Sequence, residues 1–476
     1  MSEESGVAEV LGVDLHLELT GAGSRRAVLI GALREAVRSG RLAAGTRLPP
    51  YRSLAADLGV ARNTVADAYA ELVAEGWLTS RQGSGTRVAE RIVTPEPERV
   101  RHDAVRPLPY DLVQGKPDPA AFPRTAWLAS ARRALTAAPH DAFGIGDPRG
   151  RVELRRELAA YLARVRGVRT GPDRIVVCSG AAHALRLLAR VLTRVVGGGG
   201  PGRPWAVEAY GLPFHRGLLA EAGVRTVPVA VDEDGARVGE IPRGPGVVLL
   251  TPAHQFPTGG PLHHERRAAA VDWARGTGGF VLEDDYDGEF RYDRRPVGAL
   301  QGLDPDRVVH IGSVSKSLSP TLRIGWMVLP GALVDAVVAA KGEREPYSSA
   351  TEQLTLADFL ASGAYDRHVR RMRRRHRERR DRLVTVLAER VPEVRVTGIA
   401  AGLHAVVELP PGTERAALRA AERHGVAVEG LSGYRHPDAV GGVRNDGLVV
   451  GYATPPERLY GAALDALCNA LDSALR

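Results

Sequence analysis

Helical and strand-like patterns alternate along most of the chain, from about residue 124 to its end. Amphipathic stretches such as WLASARRAL and ELRRELAAYLARV are separated by short apolar runs such as RIVVCSG, PWAVEAY, GVVLLTP, GGFVLEDDY and RVVHIGS. This alternation predicts an α/β domain, with a mostly parallel sheet, helices on both faces and ligand chemistry at the carboxyl ends of the strands. Residues 124–476 are therefore expected to form one large domain.

The beginning of the chain has a different pattern. After a flexible N-terminus at residues 1–14, RRAVLIGALREAVRSG predicts one amphipathic helix that ends at Gly40. YRSLAADLGVARNTVADAYAELVAEGWL predicts two short helices broken at Gly59, and the second has an apolar face made of Val65, Ala68, Tyr69 and Leu72. Two short strands around SRQGSG follow. Residues 15–89 therefore predict a small α+β unit, a helix-turn-helix with a two-stranded wing.

Two polar segments need separate interpretation. Residues 90–123 are rich in proline and charge, which predicts an extended, semi-rigid linker between the two domains. Residues 367–382, RHVRRMRRRHRERRDR, form the densest basic run in the chain. This run is either a second nucleic-acid surface or, as we favour, a solvated long helix that bridges the large and small domains.

Composition narrows the class of protein. With 476 residues and 44% hydrophobic residues, the chain is long enough for two or three globular domains. Two cysteines without metal-ligand spacing predict neither a disulfide framework nor a metal site, and they favour the cytoplasm. The sequence contains no run of about 18 apolar residues, so we predict no membrane-spanning helix. The net charge of +8 and the pI near 9.7 permit nucleic-acid binding.

Lysine is almost absent: the 64 Lys and Arg residues include only Lys116, Lys316 and Lys341 as lysines. A desolvated lysine can lose its proton and form a Schiff base, which an arginine cannot do. SVSKSLSPTLRIGW, with Lys316, follows the run RVVHI, and EDDYDGEFRY follows the run GGFVL, so both loops are expected at one sheet edge. An amine, a carboxylate and an arginine gathered there fit pyridoxal 5′-phosphate (PLP).

The N-terminal pattern GRLAAGTRLPPYRSLAADLGVARNTVADAYAELVAEGWLTSRQGSGTRV resembles the winged helix of GntR-type regulators over nearly its whole length. The resemblance implies a phosphate contact by Arg52, major-groove contacts by Arg62, Asn63 and Thr64, and a minor-groove wing at Gln82 and Gly83. Phosphate contacts would provide affinity and base contacts specificity. The alternative is a three-helix protein-interaction module.

The large domain resembles fold-type-I aminotransferases, and the full chain resembles the MocR/GabR-like (PdxR-like) branch of GntR regulators, which fuses the two domains. The resemblance implies that Lys316 carries PLP as an internal aldimine, Asp284 pairs with the ring nitrogen and Tyr286 hydrogen-bonds the phenolic oxygen. It implies a phosphate site made of Arg323, Ser313, Ser315 and the backbone amides of Ala181 and Ala182. TPAHQFPTG matches the loop that passes near the ring.

Two positions depart from the family pattern. EAYGLP has Leu212 where an aromatic residue usually stacks on the ring, and IGDPRG has Ile145 where a tyrosine often reaches the phosphate of the neighbouring subunit. Both changes are expected to weaken or alter cofactor binding. The arginine that binds an effector carboxylate is expected in the C-terminal part, as Arg435 or Arg444.

Three functions are compatible with these patterns. The favoured one is a homodimeric, DNA-binding transcription regulator that senses PLP, or an amine or amino acid that condenses with it, without physiological turnover. The second is a working aminotransferase, and the third is a regulator whose large domain is only a dimerisation scaffold. The winged helix favours a regulator, because a metabolic transaminase has no use for DNA-reading residues.

Overall fold

The computed structural model describes residues 17, 19, 23–81, 85–90, 108–197, 202–292, 297–342, 349–440 and 446–476. The described residues separate into two compact units, one within Met1–Val105 and one within Arg106–Arg476. Among them, no helix is long and apolar enough to cross a membrane.

The N-terminal unit is a three-helix cluster with a hairpin. Its elements are α1 (Arg25–Arg38), α2 (Tyr51–Leu58), α3 (Arg62–Ala74), β1 (Leu78–Arg81) and β2 (Gly85–Val88). Gly59 ends α2 with a φ of 63°, a left-handed conformation that glycine adopts without strain. The strands pair antiparallel, with Leu78 opposite Val88. The predicted winged helix-turn-helix is confirmed.

Apolar side chains from all three helices and the hairpin form one core. The four α3 residues predicted to face inward, Val65, Ala68, Tyr69 and Leu72, are each at most 2% exposed. They pack with Leu29 and Leu33 of α1. Ion pairs on the outside, Arg26 with Glu71 and Arg34 with Glu75, connect α1 to α3.

The large unit contains a central sheet, a smaller sheet and surrounding helices. Its strands are β3 (Tyr110–Asp111), β4 (Ile175–Cys178), β5 (Trp205–Glu208), β6 (Thr226–Val229), β7 (Val231–Asp232), β8 (Gly235–Ala236), β9 (Val247–Leu250), β10 (Phe280–Asp284), β11 (Val308–Ser313), β12 (Gly325–Val328), β13 (Arg395–Thr397), β14 (His404–Leu409), β15 (Val426–Ala427), β16 (Glu429–Gly430) and β17 (Asp446–Gly451). Its helices are α4 (Arg124–Ala137), α5 (Val152–Arg166), α6 (Ala181–Gly197), α7 (Pro213–Glu221), α8 (His264–Thr277), α9 (Gly331–Lys341), α10 (Ala350–Ala361), α11 (Ala364–Arg390), α12 (Glu414–Arg423) and α13 (Glu457–Leu475).

The central sheet has seven strands in the order β4-β12-β11-β10-β9-β5-β6. The pairs from β11 to β6 are parallel, whereas β12 runs antiparallel to both of its neighbours. Alternate strand residues face opposite layers: Leu249 joins a core with α6 and α9, and Val248 joins a core with α8. The predicted mostly parallel sheet with helices on both faces is confirmed.

The smaller sheet is antiparallel, in the order β13-β14-β17-β16, and packs against the C-terminal helices. The start of the large unit adds to this region, because β3 pairs with β15 in parallel and places Tyr110 beside Val426. Residues 108–123, expected as part of the 90–123 linker, therefore pack on the large unit. Residues 91–107 of the expected linker lie outside the described residues.

The basic run 367–382 lies within α11, a helix of 27 residues. Some of its arginines have structural partners: the buried Arg379 donates to the carbonyls of Tyr452, Ala453 and Pro455. Arg375 pairs with Asp118 at 2.6 Å. These contacts connect α11 to the first and last parts of the large unit, as the bridging interpretation expects.

Candidate functional site

The two sequence segments with the proposed chemistry follow neighbouring strands. β10 and β11 are parallel, and Asp284 at the end of β10 lies opposite Ile311. β11 ends at Ser313, three residues before Lys316. Because parallel neighbours end at the same sheet edge, both loops open there, as the sequence predicted.

Lys316 is half-buried at this edge, and its Nζ donates a hydrogen bond to the carbonyl of Gly115 at 2.6 Å. Burial lowers the pKa of this amine, and the carboxylates of Asp287 and Asp284 act in the opposite direction. A desolvated amine near acids is suited to condensation with a carbonyl compound. Gly115 has a φ of 78°, a conformation that favours glycine, and a Cβ there would lie 2.8 Å from Nζ of Lys316, so a larger residue would displace the amine.

Asp284 is 5% exposed. Burial raises the pKa of its carboxyl to about 7, the neighbouring Asp285 adds to the rise, and Lys316 opposes it. Its Oδ2 lies 3.8 Å from Nδ1 of His215, whose own pKa is lowered to about 4 by burial and by Lys316. A buried carboxyl of this kind is suited to a cationic ring nitrogen, which would replace the missing solvation of its charge.

Tyr286 lies in a polar and aromatic cluster. Its hydroxyl is 2.9 Å from Nδ1 of His254, and the same nitrogen is 2.8 Å from Oδ2 of Asp287. His254 and Asp287 are 3% and 1% exposed at their side chains. Burial raises the pKa of Tyr286 well above its ordinary value, and Asp287 and Asp284 raise it further. The tyrosine is therefore a neutral hydrogen-bond donor.

The predicted phosphate-binding residues lie around the N-terminus of α6. Arg323 has a φ of 54°. The backbone at Gly325, two residues later, lies close to Gly180, just before α6, since a Cβ on Gly325 would lie 2.7 Å from Cα of Gly180. The cation of Arg323 contributes to lowering the pKa of His183 to about 4, after burial and Lys341. An arginine beside the first amides of a helix is suited to a phosphate. Ala181 and Ala182 are the first two residues of α6. In the loop after β11, the backbone N–H of Ser315 donates a hydrogen bond to Oγ of Ser313 at 3.4 Å.

The departures from the family pattern fall in different surroundings. Leu212 lines the same cavity as Asp284 and Tyr286, and it packs against the apolar cluster that contains Phe256 and Tyr434. An aliphatic side chain thus stands where ring stacking was expected. Ile145 is 90% exposed.

Of the two arginines predicted to bind an effector carboxylate, Arg435 lies among the described residues. Arg435 forms a backbone bridge with Tyr210, so it lies beside the loop that lines the cavity. Arg444 lies outside the described residues.

The residues predicted to contact DNA lie at the starts of α3 and α2. Arg62 and Asn63 are exposed in the first turn of α3, and Thr64 is half-buried beside them. Arg52 is exposed in the first turn of α2. The wing residues Gln82 and Gly83 lie outside the described residues.

Several residues at the sheet edge were not predicted from the sequence: Glu208, His215, His254, Asp287 and Gly115. Glu208 ends β5 and accepts hydrogen bonds from the backbone and hydroxyl of Thr251, and burial raises its pKa to about 7. His254 and Asp287 stand inside the motifs TPAHQFPTG and EDDYD, so those motifs were the available signal. Gly115 had none, because it was assigned to the linker.

No group of three or more His, Cys, Asp or Glu is arranged to hold a metal ion in the part of the chain described.

Comparisons with known proteins agree with the two-unit architecture. Residues 26–88 match the family model "Bacterial regulatory proteins, gntR family", and residues 111–440 match "Aminotransferase class I and II". The chain is 33% identical to the pyridoxine biosynthesis transcriptional regulator PdxR of Corynebacterium glutamicum, over 89% of this chain and 91% of that protein. It is 34% identical to the probable rhizopine catabolism regulatory protein MocR of Rhizobium meliloti, over 84% and 85%.

Solved structures agree on the fold of the large unit. A kynurenine aminotransferase from Pyrococcus horikoshii superposes with a TM-score of 0.68 at 24% identity, over 77% of this chain and 91% of that chain. LysN, an α-aminoadipate aminotransferase from Thermus thermophilus, gives a TM-score of 0.67 at 25% identity, over 77% and 92%. This fold typically binds PLP. The chain therefore belongs to the MocR family of GntR-type transcription regulators, in which a winged helix-turn-helix is joined to an aminotransferase-like domain.

Proposed function

We propose that this regulator binds PLP at Lys316 and controls operator binding in response to PLP, or to an amine or amino acid that condenses with it. The observation that carries the proposal is the pairing of a desolvated lysine with a buried carboxyl at adjacent strand ends. The same chain has a DNA-binding unit. The printed name of the relative PdxR, a pyridoxine biosynthesis regulator, supports a link to this cofactor.

The residues at the sheet edge fit the cofactor group by group. Lys316 would hold it covalently, Asp284 would meet its ring nitrogen and Tyr286 would donate to its phenolic oxygen. Arg323, Ser313, Ser315 and the amides of Ala181 and Ala182 would bind its phosphate. When bound, PLP supplies an aldehyde that condenses with amines and an electron sink. Leu212 lines the cavity where an aromatic ring would stack on the cofactor, so the cofactor would be held with less ring contact.

Cofactor binding is tested by reduction of the PLP-treated protein with borohydride and peptide mass mapping. We expect one modified lysine, Lys316. If no lysine is modified after incubation with excess PLP, the cofactor proposal fails, and a regulator with a scaffold domain replaces it. Incubation with a panel of amines and an oxo acid separates a sensor from a working aminotransferase. A single half-transamination for each bound PLP, or none, fits a sensor, whereas repeated turnover with the oxo acid as amino-group acceptor would favour the enzyme.

The DNA part of the proposal assigns different contacts to two arginines. Arg62 begins α3 and would read a base in the major groove, whereas Arg52 would contact phosphate. Arg62→Ala should cost about 1–3 kcal/mol at one position of the operator. Arg52→Ala should weaken binding to all sequences and lower the salt slope by roughly one. Equal, sequence-independent losses for both variants would contradict the assignment.

The proposal includes a homodimer in which the N-terminal unit and the large unit of each chain are coupled. Lys316 donates to the carbonyl of Gly115, and Gly115 lies a few residues after the segment that leads from the N-terminal unit. A ligand that engages Lys316 competes for this hydrogen bond and so acts on the backbone at Gly115, in the first part of the large unit. Coupling of this kind is typically about 1–3 kcal/mol, and operator DNA must change effector affinity by the same factor.

A further inference from the structure

Tyr286, His254 and Asp287 form a polar cluster in which the resemblance to known families gives a role to Tyr286 alone. Nδ1 of His254 lies 2.8 Å from Oδ2 of Asp287 and 2.9 Å from the hydroxyl of Tyr286. The tyrosine also interacts with the carboxylate of Asp287. We propose that His254 and Asp287 are positioning residues that hold Tyr286 as a hydrogen-bond donor towards a bound ligand. The inference rests on the proposed function, in which that ligand is PLP.

The arrangement of protons follows from the distances. A carboxylate has only acceptors, so a ring nitrogen 2.8 Å from Oδ2 must carry a hydrogen, since its lone pair would otherwise face a charged oxygen. Nδ1 of His254 is therefore a donor and cannot accept the proton of Tyr286. That proton is left for the carboxylate of Asp287 or for an acceptor on a ligand.

Packing fixes the imidazole in this orientation. His254 stacks on Tyr286 with an angle of 26° between the rings. A Cβ on Gly402 would lie 2.4 Å from Cε1 of His254 and 2.6 Å from Oδ2 of Asp287, and one on Gly259 would lie 3.4 Å from Nε2. Because Gly402 leaves no room for a side chain beside the ring, the backbone there packs against the imidazole and limits its movement away from the tyrosine.

The charged and titratable groups around the cluster are Asp284, Glu208, His404 and Lys316. Asp284 and Glu208 act on Tyr286, Lys316 interacts with Asp284 and Asp287, and His404 lies 5.3 Å from His254 between ring centres. The carboxylates oppose ionisation of Tyr286. The tyrosine thus stays a neutral donor while His254 holds the negative charge of Asp287 in place.

The test uses the full-length protein loaded with PLP and follows the absorbance of the lysine-linked cofactor against pH. Tyr286→Phe removes the donor and should move the midpoint of the absorbance transition by about one pH unit. His254→Leu should move it in the same direction. His254→Asn should restore most of the wild-type value, because its amide nitrogen takes the place of Nδ1.

A double variant separates positioning from a general structural effect. In Tyr286→Phe, the added His254→Leu should cause no further shift, because the pair acts through the tyrosine. Asp287→Asn, which keeps the side-chain shape, should shift the midpoint in the same direction as His254→Leu and covers the case in which that variant does not fold. His376→Gln is the control: it changes another buried histidine, which packs on Phe290, and it should leave the midpoint unchanged.

The outcomes distinguish this inference from the proposed function. A wild-type protein that takes up no PLP overturns both. A wild type that binds PLP, with an unchanged midpoint in His254→Leu and Asp287→Asn, overturns the positioning role alone. An equal shift from His254→Leu with and without the Tyr286 hydroxyl also overturns it.

Discussion

Lys316 and Lys341 are both withdrawn from solvent in a chain that has only three lysines, yet their surroundings differ. Lys341, at the end of α9, is 6% exposed and donates to the carbonyls of Pro148 at 2.5 Å and Val177 at 2.7 Å. Lys316 donates to the carbonyl of Gly115 and faces Asp284 and Asp287. Burial lowers the pKa of both amines, to about 8 for Lys341.

The scarcity of lysine and the burial of its side chain therefore do not identify a reactive lysine by themselves. Lys341 holds two segments of backbone together. Lys316 follows the end of a parallel strand, near an acid suited to a ring nitrogen, Asp284. The third lysine, Lys116, is exposed and pairs with Asp111 at 3.2 Å. The location at the sheet edge, rather than the residue type, makes Lys316 the candidate for cofactor attachment.

Substitution of each lysine by arginine should show the largest difference between Lys316 and the other two lysines. Lys316→Arg should abolish covalent attachment of PLP and its yellow absorbance band, because a guanidinium does not form a Schiff base. Lys341→Arg and Lys116→Arg should keep both. Borohydride reduction with peptide mass mapping provides the measurement, and a modified peptide that contains Lys341 would contradict the assignment.

The next effect concerns stability. Lys341→Met leaves the carbonyls of Pro148 and Val177 without this donor, which should lower the free energy of unfolding of the large unit by about 1–3 kcal/mol. Lys116→Met, the matched control, loses a surface ion pair and should cost at most about 1 kcal/mol. Urea unfolding followed by tryptophan fluorescence measures both. Equal losses would mean that Lys341 has no structural role.

Asp284 should show the opposite pH trend to a stabilising carboxylate. Burial raises its pKa from 3.8 to about 7, so the folded chain binds more protons than the unfolded chain between these values. Its contribution to stability is therefore lost as the pH rises towards 7. Asp284→Asn should stabilise the PLP-free protein on the order of 1–2 kcal/mol at about pH 8 and little at about pH 4. A gain independent of pH would contradict the buried, uncompensated carboxyl.

The same substitution should weaken PLP binding, because a neutral amide does not favour a protonated ring nitrogen. PLP titrations of wild type and Asp284→Asn at one pH measure this loss. Unchanged affinity would remove Asp284 from the site.

The smallest effect concerns Gly115. Gly115→Ala places a Cβ 2.8 Å from Nζ of Lys316 at a φ of 78°, and should reduce PLP attachment several-fold while costing about 1 kcal/mol of stability. Gly412→Ala is the matched control: its φ is 85°, but a Cβ there meets no atom within 4 Å. Equal changes in PLP attachment for both variants would show that only backbone strain is involved.

Local patterns were sufficient for the N-terminal unit and for part of the candidate site. The spacing of Val65, Ala68, Tyr69 and Leu72 is a property of one helix, and these four side chains are buried as predicted. Asp284 and Lys316 were placed at one edge because a strand run precedes each of them. In both cases the signal lies within a few residues of the feature.

Features that depend on distant segments were not predictable. The antiparallel direction of β12 follows from pairing with β4 as well as β11, and no short pattern encodes it. Gly115 is brought to Lys316 by distant contacts of its segment, which include the pairing of β3 with β15 and the hydrogen bond from the N–H of Gly451 to the carbonyl of Leu112. Its proline-rich surroundings suggested a linker instead. His254 meets Asp287 and Tyr286 across 32 or 33 positions of sequence. Long-range pairing of strands brings these residues together.

The most direct test of the account is a titration of operator DNA with wild type and Lys316→Ala, each with and without PLP and candidate amines. We predict that PLP or one of the amines changes the operator affinity or DNA bending of the wild-type protein. Neither quantity should change in Lys316→Ala. The shift in wild type should correspond to about 1–3 kcal/mol. Identical curves in every condition would contradict the account and would make the aminotransferase-like domain a scaffold.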